Sequence, residues 1–156
     1  MGTSPMPVHI RETDASDVEA LARLVTEWGY PALPDDIRRR LARARSDTSC
    51  VFAAAVAGEV IGWVHVSLHP TLASDSTAEI LGLVVDWKWR GQGVGRQLMY
   101  AAEAWACAKG CQLMSVRSRV TRADAHSFYQ RLGYQVIKAS LTFAKRLAEK
   151  ENGSEA

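Results

Sequence analysis

Cysteine is scarce. Cys50, Cys107 and Cys111 are the only three in 156 residues. Three cannot build a disulfide framework, and no Cys/His pair accompanies Cys107 and Cys111 at zinc-ligand spacing, so buried free thiols are expected. Residues 1–7 lack an apolar core, so no secretory leader is expected. The longest uninterrupted apolar run, residues 50–57, is far shorter than the roughly 20 residues that span a bilayer. An excess of one charge is also lacking. Nineteen Lys and Arg against 17 Asp and Glu leave a formal +2, so general polyanion binding is not expected. These absences together point to a cytoplasmic protein with no membrane or nucleic-acid partner. What is present is 47% hydrophobic content, which excludes disorder and suits one domain with a real core. That domain is expected over residues 8–147, with flexible tails at 1–7 and 150–156.

Arg90-Gly91-Gln92-Gly93-Val94-Gly95 carries the most information. It follows an apolar run, residues 80–85, that reads as a buried strand. It precedes an amphipathic segment, residues 94–109, that reads as a helix. A glycine-rich turn there lets backbone approach an anion, points several N–H groups into one concavity, and adds the positive end of the helix dipole. A nucleotide P-loop would need Gly-Lys-Ser/Thr, but Gly95 is followed by Arg96-Gln97. A dinucleotide fingerprint needs G-x-G-x-x-G and a later acid. The spacing here is G-x-G-x-G, and no acid lies near Cys111 and Gln112. An ordinary glycine turn without a ligand remains the bland alternative.

Other elements follow from periodicity. Residues 8–11 read as a first strand. Ser16 and Glu19 suit a capping box for a helix whose inner face is Val18, Leu21, Ala22, Val25 and Trp28. Gly29-Tyr30-Pro31 breaks it. A second helix after Pro34 turns Ile37, Leu41 and Ala44 inward. Its arginines, Arg38, Arg39, Arg40, Arg43 and Arg45, form either a solvated face or a rim attracting an anionic ligand. Residues 50–57 and 59–68 read as a hairpin turning at Ala57-Gly58, residues 69–76 as a loop, and 77–86 as the central strand. Val94, Leu98, Ala101, Ala102, Trp105 and Ala108 repeat at helical spacing, with Gly110 as the stop. Residues 112–118 read as a strand. Thr121 with Asp124 can cap a short helix that Gly133 ends, and residues 134–145 supply one or two last strands.

Three motifs together carry a family resemblance. Arg90, Gly93 and Gly95 fit Arg/Gln-x-x-Gly-x-Gly/Ala, the coenzyme A loop of the GNAT superfamily of N-acetyltransferases. Ser127-Phe128-Tyr129-Gln130-Arg131-Leu132-Gly133-Tyr134 resembles that family's later Phe-Tyr and Leu-Gly-Phe/Tyr motif. Ala78-Glu79-Ile80 sits before the loop as in the histone-acetylating branch. Ala125-His126, with Ser140, Phe143 and Lys145, resembles bacterial members near the aminoglycoside-acetylating group. The resemblance implies an α/β (α+β) fold of GNAT type: a mixed, mostly antiparallel sheet, split between strands four and five and flanked by about four helices. It implies an acetyl-CoA-dependent N-acetyltransferase, with acetyl-CoA as co-substrate, no metal, and direct transfer to a primary amine. The acceptor is an amine-bearing small molecule or protein, and a homodimer is left open. The competing reading is a non-catalytic acyl-CoA-binding or regulatory module, against which Glu79 and Tyr129 argue.

Transfer requires the coenzyme to be held, the amine to lose a proton, the oxyanion to be stabilised and the thiolate to leave. The amides of Gly91, Gln92, Gly93, Val94, Gly95 and Arg96, after Arg90, would hold pyrophosphate. The family places pantetheine along the edge of Leu83, Val84 and Val85, where the amide of Val84 or Val85 would face the thioester carbonyl. Plain core strand is equally true of those side chains. Glu79 is the candidate base, and its strand parity groups it with Leu81, Leu83 and Val85; a solvated carboxylate is the alternative. Tyr129 is the candidate acid toward the thiolate, and Phe128 packs. His126, one turn before Tyr129, can tune the site or simply pack. His65 can line an acceptor pocket or pack across strands. Two departures from the family exist. Arg122 replaces an Asn that contacts coenzyme, and Trp87, beside Lys88 and Trp89, replaces a Pro. The two tryptophans suggest a partner surface or packing beneath the loop.

Overall fold

The computed structural model describes residues 6–75 and 77–148. Ser76, and the parts of the expected tails at 1–5 and 150–156, lie outside the described residues. In chain order the elements are β1 (His9–Glu12), α1 (Val18–Trp28), α2 (Pro34–Ala44), β2 (Ser49–Val56), β3 (Glu59–Leu68), β4 (Thr77–Val85), α3 (Val94–Ala108), β5 (Leu113–Val116) and α4 (Ala123–Arg131). They fall into two compact units, Met1–Arg117 and Ser118–Ala156.

The first unit is built on a five-stranded sheet in the order β1-β2-β3-β4-β5. β1 to β4 are antiparallel neighbours, and β5 runs parallel to β4. β2 is buried almost along its whole length, because helices cover both faces of the sheet. Two glycines identify those faces. A Cβ on Gly62 would meet Leu98 of α3, whereas one on Gly82 would meet Trp63 and Trp28 of α1. On the α1/α2 face, Val18, Leu21, Leu24, Ile37 and Leu41 pack with Val51, Ala53, Trp63 and Val84. On α3, Val94, Leu98, Met99, Ala102 and Ala106 are buried. The stripe therefore includes Met99 and Ala106, and Ala108 is exposed.

Local chemistry sets the boundaries. The cap before α1 is Asp14, not the expected Ser16. Asp14 accepts from the Ser16 amide, and Asp17 accepts from the Asp14 amide at 2.9 Å, in a short 3₁₀ turn. A carboxylate takes the role from the serine hydroxyl, which itself bonds Asp14. Gly29 ends α1 at φ +112°. Ala57 and Gly58 both have positive φ, the geometry of a two-residue hairpin turn matched to strand twist. Of the thiols, only Cys50 is buried; Cys107 is exposed and Cys111 is intermediate.

In the second unit Arg122 is the N-cap of α4 and gives it no side-chain cap, so Thr121 and Asp124 do not close a box. Gly133 ends the helix turn at φ +94°. The expected strands over 134–145 are absent: residues 134–148 carry no regular structure. Their apolar side chains are exposed, Val136, Ile137, Leu141, Phe143 and Leu147 among them. The physical reason is that a strand needs a neighbouring ladder, and the described residues of this unit include no other strand.

Candidate active site

The glycine loop lies where the sequence placed it. Asp86 closes β4, its amide donating to the Ile61 carbonyl at 2.8 Å. Its carboxylate accepts from the Lys88 amide at 3.0 Å and from Arg23 Nη1 at 3.1 Å. The Lys88 amide first, and Arg23 after it, hold the Asp86 carboxyl below its usual range against the opposing effect of burial. A 3₁₀ turn over Trp87–Trp89 follows. Arg90 Nε donates to the Val85 carbonyl at 3.2 Å, so this arginine ties the loop to the strand. Gly91 and Gly93 have φ +75° and +84°, and a Cβ on either would meet only open space. Gly93 is the N-cap of α3 and offers no side-chain acceptor. The first amides of that helix have no intrahelical partner. Val94, 1% exposed, anchors the helix start in the core. The result is an uncapped helix N-terminus behind two left-handed glycines, a backbone arrangement able to bind an anion.

β4 supplies the adjacent edge. β5 pairs only with Thr77 through Ile80. The segment from Leu81 to Val85 therefore has no β5 partner, and the sheet opens there. The register to β3 also breaks. Val66 faces Ile80 while His65 faces Gly82, which leaves Leu81 as the extra residue of a bulge. This corrects the parity expected from sequence. Glu79, opposite Ser67, shares the α1/α2 face with Gly82 and Val84, not with Leu81, Leu83 and Val85. One inserted residue reverses every side chain beyond it.

Glu79 is 8% exposed. Arg117 Nε lies 3.0 Å from its Oε1, and His69 Nδ1 lies 3.5 Å from its Oε2. The carboxylate is thus buried but electrostatically satisfied, not a solvated strand end. His69 and Arg117 were not anticipated. His69 sits in a polar loop, and Arg117 follows a parallel strand whose register no local pattern announces.

His65 makes the cross-strand contact. Its Nε2 lies 2.7 Å from Ser49 Oγ across the hairpin, and burial lowers its pKa. Trp87 is 67% exposed and does not pack beneath the loop; Trp89 is half-buried.

The second unit holds the other expected residues. Tyr129 is half-buried, its ring 5.1 Å from Phe128 and 6.0 Å from Tyr134. Burial raises its pKa, with Arg122 opposing, so the hydroxyl stays protonated and can donate. Arg122 lies at the start of α4, its Nη2 3.7 Å from Asp124 Oδ2. His126 Nε2 lies 2.7 Å from the Arg119 carbonyl. Since a carbonyl only accepts, that nitrogen carries the proton, and His126 braces the turn before the helix.

Residues 16–134 match the acetyltransferase (GNAT) family. The chain is 30% identical over 140 residues to an aminoglycoside N(6')-acetyltransferase type 1 of Stenotrophomonas maltophilia, covering 86% of this chain and 90% of that one. It is 32% identical over 151 residues to an aminoalkylphosphonate N-acetyltransferase of Salmonella typhimurium, covering 91% and 94%. Among solved structures, an aminoglycoside N-acetyltransferase, AAC(6')-Iy, in complex with CoA superposes with TM-score 0.82 at 21% identity, over 94% of this chain and 99% of that one. At that identity the likeness speaks for the fold. The chain belongs to the GNAT family of acetyltransferases.

Proposed function

We propose that residues 8–147 act as one acetyl-CoA-dependent N-acetyltransferase domain whose acceptor is the primary amine of a small molecule. The observation that carries this reading is the uncapped N-terminus of α3, behind Gly91 and Gly93, beside the strand edge that β5 leaves open. The amides from Gly91 to Arg96 hold the pyrophosphate. Leu83 to Val85 offer backbone groups to the pantetheine amides, and the Val84 or Val85 amide faces the thioester carbonyl. Arg122 meets a coenzyme phosphate. Glu79 takes the ammonium proton, directly or through a water. The amine nitrogen then bonds to the acetyl carbon, the carbon–sulfur bond breaks as Tyr129 gives its proton to the departing thiolate, and the second proton shed by the nitrogen returns through solvent to the Tyr129 oxygen.

The two relatives near 30% identity act, by name, on aminoglycosides and aminoalkylphosphonates. Both are amine-bearing small molecules, which supports that acceptor class over a protein. The test is calorimetric titration with coenzyme A, followed by thiol release from acetyl-CoA with a panel holding aminoglycosides, aminoalkylphosphonates and lysine peptides. Coenzyme binding with release accelerated by a small amine is expected. Binding without turnover on any amine would favour the acyl-CoA-binding module, and turnover on peptides alone would move the acceptor to proteins.

A further inference from the structure

We propose that His69 relays to solvent the proton that Glu79 takes from the acceptor ammonium. The inference rests on the reading of Glu79 as the base. It starts from a problem that Glu79 alone does not solve. A carboxylate is a much weaker base than an amine, so a proton left on Glu79 lies far uphill. Glu79 is also 8% exposed, which limits its exchange with solvent. Arg117 occupies Oε1 at 3.0 Å and, as a guanidinium, can accept no proton. Oε2 faces His69 Nδ1 at 3.5 Å, and the His69 side chain is 50% exposed.

The backbone holds this arrangement. The His69 amide donates to the Thr77 carbonyl at 2.8 Å, so the residue leaving β3 is fastened to the first residue of β4, two positions before Glu79. A distance of 3.5 Å is ion-pair contact, longer than a hydrogen bond, and such contacts in free enzymes often tighten once substrate is bound. Among the described residues, the charged groups in ion-pair contact there are Glu79 from β4 and Arg117 just beyond β5. From β3 the residue opposite Glu79 is Ser67, which is neutral, and His65 is engaged with Ser49. The proton balance is simple. The ammonium gives H⁺ to Glu79 Oε2, Glu79 passes it to His69 Nδ1, and the imidazolium loses a proton to solvent. The carboxylate is restored and no oxidant or co-reactant is needed. An imidazole is more basic than a carboxylate by about two pKa units, so the relay makes the free-amine state roughly 100-fold more accessible. His69 acts through Glu79 and is a positioning and relay residue.

The experiment uses the full chain as His69→Ala and His69→Gln, with Glu79→Gln prepared in parallel. Turnover is followed with the amine from the panel that the parent acetylates fastest. The relay predicts a fall in kcat of about 10- to 100-fold, an unchanged KM for acetyl-CoA, and partial recovery of His69→Ala by added free imidazole. The acid limb of the kcat–pH profile should also move in His69→Gln. A kcat within two-fold of the parent overturns the relay, as does a loss that imidazole does not repair and that leaves the pH profile unmoved. A normal His69→Ala beside a crippled Glu79→Gln would reject the relay alone; normal rates in both would reject Glu79 as base.

Discussion

At the scale of single residues, Glu79 shows how far a sequence reading reaches. Its position before the glycine loop was legible, but its surroundings were not. Alternation along β4 placed it with Leu83 and Val85, and the bulge at Leu81 puts it on the opposite face. Arg117 and His69 were hidden for another reason: they meet Glu79 only through a parallel pairing and a loop closure, which are long-range events. The account predicts that Glu79→Gln, which keeps shape and removes basicity, lowers the rate at neutral pH by about 10²–10⁴-fold. The loss should shrink at high pH, where free amine is abundant, and a pH–rate profile measures it. Tyr129→Phe removes one oxygen and little packing. Negative charge reaches sulfur only in the transition state, so the hydroxyl should matter there and not in the bound complex. Single-turnover kinetics should show slower transfer with coenzyme affinity nearly unchanged. Equal transfer by the phenylalanine variant would return Tyr129 to packing.

At the scale of elements, glycine and capping chemistry decide what forms. Gly93 and Gly58 have nearly the same backbone, φ +84° and +81°, and each faces open space. A side chain at either should cost about 1–2 kcal/mol for the left-handed conformation. Gly93→Val and Gly58→Val should therefore lose similar stability, yet only the first should lose coenzyme A binding in calorimetry. Equal binding by both would detach the loop from the phosphate. The start of α1 gives a pH test. Arg11 grips Asp17 with two bonds of 2.8 Å, and that grip holds the Asp17 carboxyl below its usual range. A folded-state pKa below the unfolded value, about 3.9, stabilises the protein above that pH and ceases to do so as pH falls through the folded value. Asp17→Asn should thus cost about 1.5–3 kcal/mol in urea denaturation at pH 7, with the difference from the parent closing as the pH drops below the Asp17 value. The sequence suggested a cap here but chose Ser16, because a hydroxyl and a carboxylate two residues apart satisfy the same capping pattern.

For the whole molecule, the order of elements through α4 was legible because hairpin turns, helix stops and the glycine loop are local signals. The strands expected over residues 134–145 were read from apolar alternation, and alternation creates no ladder by itself. The family match spans both compact units, residues 16–134, and the central claim is that this chain transfers acetyl from coenzyme A to a small amine. Mass spectrometry of the amine after incubation with acetyl-CoA tests it most directly, with free thiol counted in the same reaction. The account predicts an N-acetyl product on an aminoglycoside or an aminoalkylphosphonate, with one thiol released per acetyl transferred. Thiol release no faster than without protein, for every small amine tried and in the presence of saturating acetyl-CoA, would contradict it.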